Sequence, residues 1–266
     1  MTSNDIDVER IACESFIARV EHHLEVTSTN DVARERAGNC VEADLPLLVI
    51  AERQTAGRGR QGRAWWTGHG ALAFSLLIDP RAHGIEPPAA SRTPLAVAVT
   101  LVRVFSHHAG DQNIGLHWPN DVICSGRKLS GVLIESLPDG RQVVGVGINV
   151  NNTLATAPPE LQSVATSLRD LAGREIDRSW LLLGLLDNLH QTLRQLGDDP
   201  VAIARQCNDH CLQRGATLKV ETLEGPVVGR CLGIADDGGL VIETAAGPRT
   251  FYAGEAQHVA LDAGRR

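Results

Sequence analysis

Several absences bound this 266-residue chain before any motif is read. No apolar run approaches the ~20 residues that a membrane-spanning helix requires. The opening Met-Thr-Ser-Asn-Asp-Ile-Asp is acidic and lacks the apolar stretch of a secretory signal, so a cytoplasmic protein is expected. Cysteine pairs at CxxC spacing are missing too: Cys13, Cys40, Cys124, Cys207, Cys211 and Cys231 are scattered. Cys207, His210 and Cys211 would share one helical turn, yet a zinc ion takes about four ligands and no second cluster completes the set. These thiols read as free or buried in a reducing compartment. Positive charge is in short supply as well. Lys and Arg number 25 against 32 Asp and Glu, a net charge of −7. That argues against a general nucleic-acid binder, whose phosphate contacts rest on lysine and arginine.

One further absence is local. Between Glu52 and Asp79 there is no acid, while Arg53, Arg58, Arg60 and Arg63 all fall there. A cationic stretch in an acidic protein suits one small anionic ligand better than a polyanion. What remains is ordinary globular composition, 43% hydrophobic and 21% charged, sufficient for one large core or for a core with a small satellite.

Along the chain, residues 6–24 place Ile11, Phe16, Ile17, Val20 and Leu24 at helical spacing, which predicts a helix. Thr27-Ser28-Thr29-Asn30 supplies an N-cap for a second helix over 32–37. Strands are predicted at 45–51, 71–78, 113–117, 129–136 and 143–150, and helices at 94–105, 161–171, 180–196 and 200–211. Pro138-Asp139-Gly140 marks a turn between two of the strands. From residue 212 the pattern changes to short alternating segments (217–222, 227–235, 240–244, 249–252, 258–261) separated by Gly, Asp and Pro. No repeat or low-complexity linker intervenes. The reading is an α+β core over residues 1–211, with a mixed or antiparallel sheet, followed by a small β-barrel or sandwich over 212–266.

Gly57-Arg58-Gly59-Arg60-Gln61-Gly62 satisfies G-x-G-x-x-G after a predicted strand. A dinucleotide site needs a helix to begin there, so that its first amides meet the pyrophosphate. Arg63-Ala64-Trp65-Trp66-Thr67-Gly68-His69-Gly70 follows instead, too glycine-rich and aromatic to start one, and the Rossmann reading fails on context. On its own chemistry the segment is a loop whose glycines admit a close ligand and whose arginines offer planar forks to phosphate or carboxylate oxygens. The plainer reading is a solvated loop with incidental charge. Four arginines, three glycines and two tryptophans between residues 53 and 66 favour a loop that folds over a phosphoanhydride.

Here the residues resemble a known family, the biotin–protein ligases. Gly57-Arg58-Gly59-Arg60-Gln61-Gly62-Arg63-Ala64-Trp65 is similar to that family's GRGRxGRxW loop, Ser28-Thr29-Asn30 to its STN motif, and His117-Trp118-Pro119-Asn120-Asp121 to KWPND. Arg127-Lys128-Leu129-Ser130-Gly131 is similar to RKLAG and Gly145-Val146-Gly147-Ile148-Asn149-Val150 to GxGINV. The five motifs stand in the family's order between Ser28 and Val150. Beyond them the likeness is mainly architectural, a small C-terminal β domain of the SH3-like kind.

The resemblance implies an ATP-dependent ligase that converts biotin to biotinyl-5′-AMP and passes it to a lysine of a biotin carboxyl carrier protein domain. It implies a biotin site from Ser28, Thr29, Asn30, Gln54, Gly57, Arg58, Gly59, Arg60, Lys128 and Gly131. It implies a nucleotide site from Arg60, Arg63, Trp65, Asn120, Asp121, Lys128 and Asn149, with Mg²⁺ on the phosphates and Asp121 as a candidate metal ligand. Lys128, Arg58 and Arg60 are the expected catalytic groups. The chemistry is consistent with these roles. Biotin's ureido ring, two donors and an acceptor in an apolar bicycle, needs a few polar side chains among hydrophobic ones, and Ser28, Thr29 and Gln54 have that inventory. Ser28 and Thr29 also suit helix capping. A carboxylate attacking phosphorus brings anion against anion, which only positive charge makes feasible. The transfer step, an amine attacking a mixed anhydride, asks mainly for orientation; Glu52 and Asp121 are the candidate proton acceptors.

Two departures stand out. His117 occupies a position where the family commonly has lysine, and Ser130 replaces the usual alanine. Only 27 residues precede Ser28, so the three-helix DNA-binding domain of some relatives, and repressor function with it, are not expected. Family members include dimers joined edge to edge through their sheets, and the resemblance leaves monomer and dimer open. The rival readings are a lipoate–protein ligase, which has no use for ureido-binding groups, a biotin- or adenylate-binding module without turnover, and a nucleic-acid-binding protein.

Overall fold

Seven strands form the sheet that carries the rest of the chain. In the computed structural model, which describes residues 5–110, 112–222 and 224–259, they are β1 (Arg19–Val26), β2 (Leu47–Gln54), β3 (Leu72–Ile78), β4 (Ile114–His117), β5 (Asp121–Cys124), β6 (Arg127–Ser136) and β7 (Gln142–Ile148). Their order across the sheet is β1-β2-β3-β7-β6-β5-β4. β1 and β2 are parallel, and every other neighbouring pair is antiparallel. The helices are α1 (Val8–Glu14), α2 (Thr29–Ala37), α3 (Pro87–Ala90), α4 (Thr93–Ala109), α5 (Pro159–Gln162), α6 (Leu168–Ala172), α7 (Arg178–Asp198) and α8 (Pro200–Asp209). Among the described residues none is long and apolar enough to cross a membrane.

Leu-Leu-Val-Ile-Ala of β2 and Leu-Ala-Phe-Ser-Leu-Leu-Ile of β3 are unbroken runs, not alternating ones, because both faces of the sheet are covered. On one face α2 sets Ala33 and Ala37 against Leu47, Val49, Leu77 and Val143. The residues between these, Leu48, Ile50, Phe74, Leu76 and Val144, join α4 and α7 in the main core. Ser28 stands at the N-cap of α2, as expected, though its side chain makes no capping hydrogen bond; Asp177 accepts from the backbone N–H groups of Ser179 and Trp180, and Asp199 caps α8. Cys207 is buried, its thiol on the Leu95 carbonyl of α4.

Three expectations need correction. Residues 6–24 are not one helix. α1 stops at Glu14, where the Ser15 hydroxyl bonds the Ile11 carbonyl, and Arg19–Val26 runs as an edge strand. Its Val20 and Leu24 satisfy a period of two as well as the helical spacing, and pairing with β2 decided between them. The helix expected over 161–171 is split into α5 and α6 by an extended stretch, because Lys128 N–H donates to the Val164 carbonyl while Thr166 N–H donates to the Lys128 carbonyl. β5, four residues long, was not anticipated.

Beyond α8 the chain pairs beside β4, Leu116 with Cys211, and then forms a five-stranded antiparallel sheet. Its strands are β8 (Thr217–Val220), β9 (Val227–Ile234), β10 (Leu240–Thr244), β11 (Gly247–Phe251) and β12 (Ala256–His258), ordered β11-β10-β9-β8-β12. Of the strand expected over 258–261, the last two positions lie outside the described residues. Leu218, Val220, Leu240 and Ile242 belong to the same hydrophobic cluster as the main core. Buried Gln213 ties the two parts together: its carbonyl accepts from Trp118 N–H at 2.7 Å and its amide donates to the Ala256 carbonyl at 3.2 Å.

Candidate active site

Strand register shapes the site. Opposed residues in an antiparallel ladder point to the same face, so Ala73, Gly147, Gly131 and Asp121 line up across four strands. Ser75, Gly145 and Leu133 form the next row. Two glycines two apart on β7 thus remove side chains from a single face and leave a trough on the α2 side. The trough is in close contact with its covering. A Cβ on Gly147 would come within 2.2 Å of the Trp65 indole, and one on Gly145 within 2.1 Å of Asn30 Oδ1.

The Gly/Arg loop folds back on itself over this trough. Trp65 N–H donates to the Gly57 carbonyl at 2.8 Å and Gly59 N–H to the Arg63 carbonyl at 2.7 Å, with a short 3₁₀ turn over Arg60–Gly62 at the tip. Gly57 admits no side chain, since a Cβ there would lie 2.6 Å from the Trp65 carbonyl oxygen. Under the loop lie two joined chambers. Ser28, Thr29, Asn30, Gln54, Arg58, Gly59 and Gly131 line the narrower one. Arg60, Arg63, Trp66, His117 and Asn149 line a larger cavity of about 270 Å³, closed on its far side by Leu154, Leu161, Val164 and Ala165. Gly59, Trp65, Asn120, Asp121 and Lys128 border both. Every residue of the expected biotin and nucleotide sites therefore lies in or directly behind this pair of cavities, whereas Glu52, a candidate proton acceptor, lines neither and is paired with Arg178 at 2.8 Å and His22 at 2.9 Å. Arg60, expected at both, lines only the larger, and Gly57 sits behind the wall.

Lys128 is held at the junction. Its backbone is pinned by residues 164 and 166, and its ammonium donates to Asp121 Oδ2 at 2.6 Å and lies 5.8 Å from the Trp65 ring centroid. Two buried polar atoms on the shared wall have no hydrogen-bond partner among the described residues, Trp65 Nε1 and Asp121 Oδ1. Such groups are costly to bury alone and favour a ligand that completes them. Asn149 is steadied by Asn152, whose amide donates to its carbonyl at 3.0 Å.

The three loop arginines differ in how their charge is used. Arg58 pairs with Asp31 at 2.8 Å and Glu135 at 3.1 Å, and Arg63 pairs with Glu255, the residue before β12. Arg60 hydrogen-bonds only to the neutral Asn120 carbonyl, at 3.1 Å, and makes no ion pair among the described residues. Burial pushes its guanidinium pKa down, against the pull of Asp121. A half-buried cation without a counter-ion is a ready partner for a phosphate. Burial also holds His117 below the usual histidine range, with Asp121 opposing the shift and His258 and Lys128 reinforcing it.

Several neighbours were not singled out by sequence reasoning. Ser75 is the lone hydroxyl in an otherwise apolar strand, and Glu135 the lone acid near the end of β6; those are the signals they carry. Thr29 N–H and Oγ1 lie 2.8 and 3.2 Å from Gln54 Oε1, and Gln54 Nε2 lies 3.2 Å from Thr67 Oγ1. Burial raises the Glu135 carboxyl pKa, but hydrogen bonds from Asn30 and Arg34 and the charges of Arg58 and Arg34 outweigh it and leave the group below its ordinary value.

Comparison with known proteins adds an independent line. Residues 24–152 match the Biotin/lipoate A/B protein ligase family, and residues 217–259 match the Biotin protein ligase C terminal domain. The bifunctional ligase/repressor BirA of Bacillus subtilis is 33% identical over 244 residues, which cover 89% of this chain and 73% of that protein. A biotin–acetyl-CoA-carboxylase ligase of Mycobacterium tuberculosis is 33% identical over 239 residues, covering 87% and 86%. Among solved structures, the Aquifex aeolicus biotin protein ligase in complex with biotin and ATP superposes with a TM-score of 0.77 at 30% identity, over 90% of this chain and 97% of that one.

Proposed function

The chain belongs to the biotin protein ligases, and on that premise we infer that it performs two half-reactions in the joined chambers. Biotin's carboxylate attacks the α-phosphorus of ATP, pyrophosphate leaves, and biotinyl-5′-AMP forms; a lysine amine of an acceptor protein then takes the acyl group and AMP departs. The observation that carries the reading is Lys128, whose ammonium borders both chambers at their junction. In this reading the narrow chamber of Ser28, Thr29, Asn30 and Gln54 takes the biotin ring. The larger one takes the nucleotide, with Arg60 and Lys128 on the phosphate and Arg63, Trp65, Asn120 and Asn149 around it. Lys128 offsets the repulsion between carboxylate and phosphate as they close and the charge that builds in the transition state.

The nucleotide is proposed to carry Mg²⁺. No group of three or more His, Cys, Asp or Glu among the described residues is arranged to hold a metal, so phosphate oxygens and water would supply most ligands. Asp121 is the carboxylate common to both chambers, and its unpartnered Oδ1 suits such an ion. The acceptor is proposed to be the biotin carboxyl carrier domain of a carboxylase, in keeping with the carboxylase named for the mycobacterial relative. β5 pairs with β6 only as far as Gly131, and an acceptor strand or a second copy of the chain would fit the edge beyond. A cytoplasmic location, where ATP is at hand and thiols stay reduced, accords with six free cysteines.

The test is ATP–pyrophosphate exchange with purified protein and no acceptor. Exchange is expected with biotin and not with lipoate. A folded protein giving no biotin-dependent exchange in Mg²⁺ would overturn the reading.

His117 provides a second expectation. Its folded pKa lies below the unfolded value of about 6.5, so it is neutral at pH 7. Its contribution to stability is therefore full above about pH 6.5 and is lost as pH falls toward the folded pKa, because the unfolded chain takes the proton first. Replacing it with lysine puts a permanent charge beside the nucleotide chamber. His117→Lys is expected to lower KM for ATP by about two- to fivefold at pH 7.5, the size of a partly screened charge interaction. It is also expected to flatten the dependence of that KM on pH below 6.5. Initial exchange rates against ATP from pH 5.5 to 8 measure both; an unchanged KM and profile would place His117 outside the nucleotide's field.

A further inference from the structure

The proposed roles leave unused a carboxylate behind the narrow chamber, hydrogen-bonded to Asn30 in its wall and to Arg58 at the root of the loop above it. Glu135 Oε1 accepts from the Asn30 side-chain amide at 2.9 Å and from Arg58 at 3.1 Å, while Oε2 accepts from Arg34 at 2.8 Å. Asp31 completes the cluster, pairing with Arg58 at 2.8 Å and with Arg34. Glu135 is thus bound to α2 on one side and to the Gly/Arg loop on the other.

The Asn30 contact has a consequence inside the chamber. With its amide nitrogen turned to the carboxylate, Asn30 presents Oδ1 to Ser75, whose hydroxyl lies 2.6 Å away. A hydroxyl has one proton, and Asn30 Oδ1 is only an acceptor, so Ser75 donates there. With the Ser75 proton committed to Asn30, the 2.7 Å contact between the Ser75 and Thr29 hydroxyls takes the single Thr29 proton, in preference to Gln54 Oε1 at 3.2 Å. The result is a directional chain from Thr29 through Ser75 and Asn30 to Glu135, and it leaves Thr29 Oγ1 facing the chamber with lone pairs. Reverse the Asn30 amide and that polarity is lost.

We propose that Glu135 is a positioning residue for the adenylation step: it holds Arg58, and with it the loop, over the chamber mouth before ligand arrives, and it sets the hydrogen-bond polarity of the chamber floor. This rests on the narrow chamber being biotin's. Charge-assisted bonds of this kind lock geometry more than they stabilise the fold, because all four charged groups are partly exposed.

Two substitutions separate the arms. Glu135→Gln keeps a carbonyl where Oε1 stands, for Asn30 and Arg58, but removes the negative charge that holds Arg58 and turns an amide toward Arg34; Glu135→Leu removes both functions. With Glu135→Gln, KM for biotin is expected to rise about tenfold while KM for ATP stays within twofold. In an Arg58→Met background the same substitution is expected to change KM for biotin by less than twofold, since its target is gone. Glu135→Leu is expected to raise KM for biotin beyond the Gln variant. Amide hydrogen exchange over residues 57–65 in the free protein is expected to speed up in both. An unchanged KM for biotin in Glu135→Gln, equal changes in both KM values, or effects that multiply with Arg58→Met would overturn the proposal. If the unaltered protein shows no biotin-dependent exchange, the biotin reading fails instead. The loop amides, measured without ligand, then decide the hold on Arg58: wild-type exchange rates in Glu135→Gln would refute it.

Discussion

Lys128→Gln is expected to reduce biotin-dependent ATP–pyrophosphate exchange by about 10²–10³-fold, the usual loss when one pre-placed charge is removed from a developing anion. The position leaves little room for substitution. The backbone on either side of Lys128 is tied to residues 164 and 166, so no other side chain reaches the junction from the same place. Glutamine still donates a hydrogen bond toward Asp121, which separates the loss of charge from the loss of a partner. Lys128→Arg is expected to fall short as well, because a planar fork on a bulkier head does not replace a compact ammonium between two anions. Stability should hardly change, since the Lys128–Asp121 pair is partly exposed, 36% and 22%, and such pairs contribute about 0–1 kcal/mol. Exchange assays at saturating substrates beside a thermal melt decide the matter. Exchange within tenfold of the unaltered protein would remove Lys128 from the reacting centre.

Gly147→Ala is expected to cost about a hundredfold in kcat/KM for adenylate formation with the fold intact. The added methyl would lie 2.2–2.6 Å from Trp65 indole atoms, a separation that real contacts do not sustain, so the ring must move. Trp65 borders both chambers, and displacement of a positioning group by about 1 Å is worth about that factor. Gly184→Ala is the control: it lies in α7 with open space at its Cβ, and is expected to leave activity alone and to raise stability by about 0.5–1 kcal/mol. Normal kinetics in Gly147→Ala would mean that the indole is not a wall of the reacting site.

Legibility followed the kind of information each feature needs. The Gly/Arg loop was readable because its composition is abnormal for an acidic chain: arginines without acids, glycines beside tryptophans. β2, β3 and β7 were readable as apolar runs. The split at residues 163–167 was not, because the segment has helical spacing and is extended only through its pairing with Lys128. Arg58, Arg60 and Arg63 look alike in the sequence. Only the positions of Asp31, Glu135 and Glu255 distinguish two arginines already engaged from one whose charge is available.

By itself, then, the sequence determined the chemistry on offer: a loop rich in guanidinium groups, a small set of hydroxyls and amides, one lysine among apolar strands, and five motifs in a recognisable order. Those properties are local, written in residue types a few positions apart. The tertiary structure alone decided how they meet. The row Ala73, Gly147, Gly131 and Asp121 exists only in the register of four strands. Ser75 and Glu135 act on residues 45 and 105 positions from them, Asn30 in both cases. Contacts of that range are fixed by strand pairing and helix packing, which no short window of sequence contains.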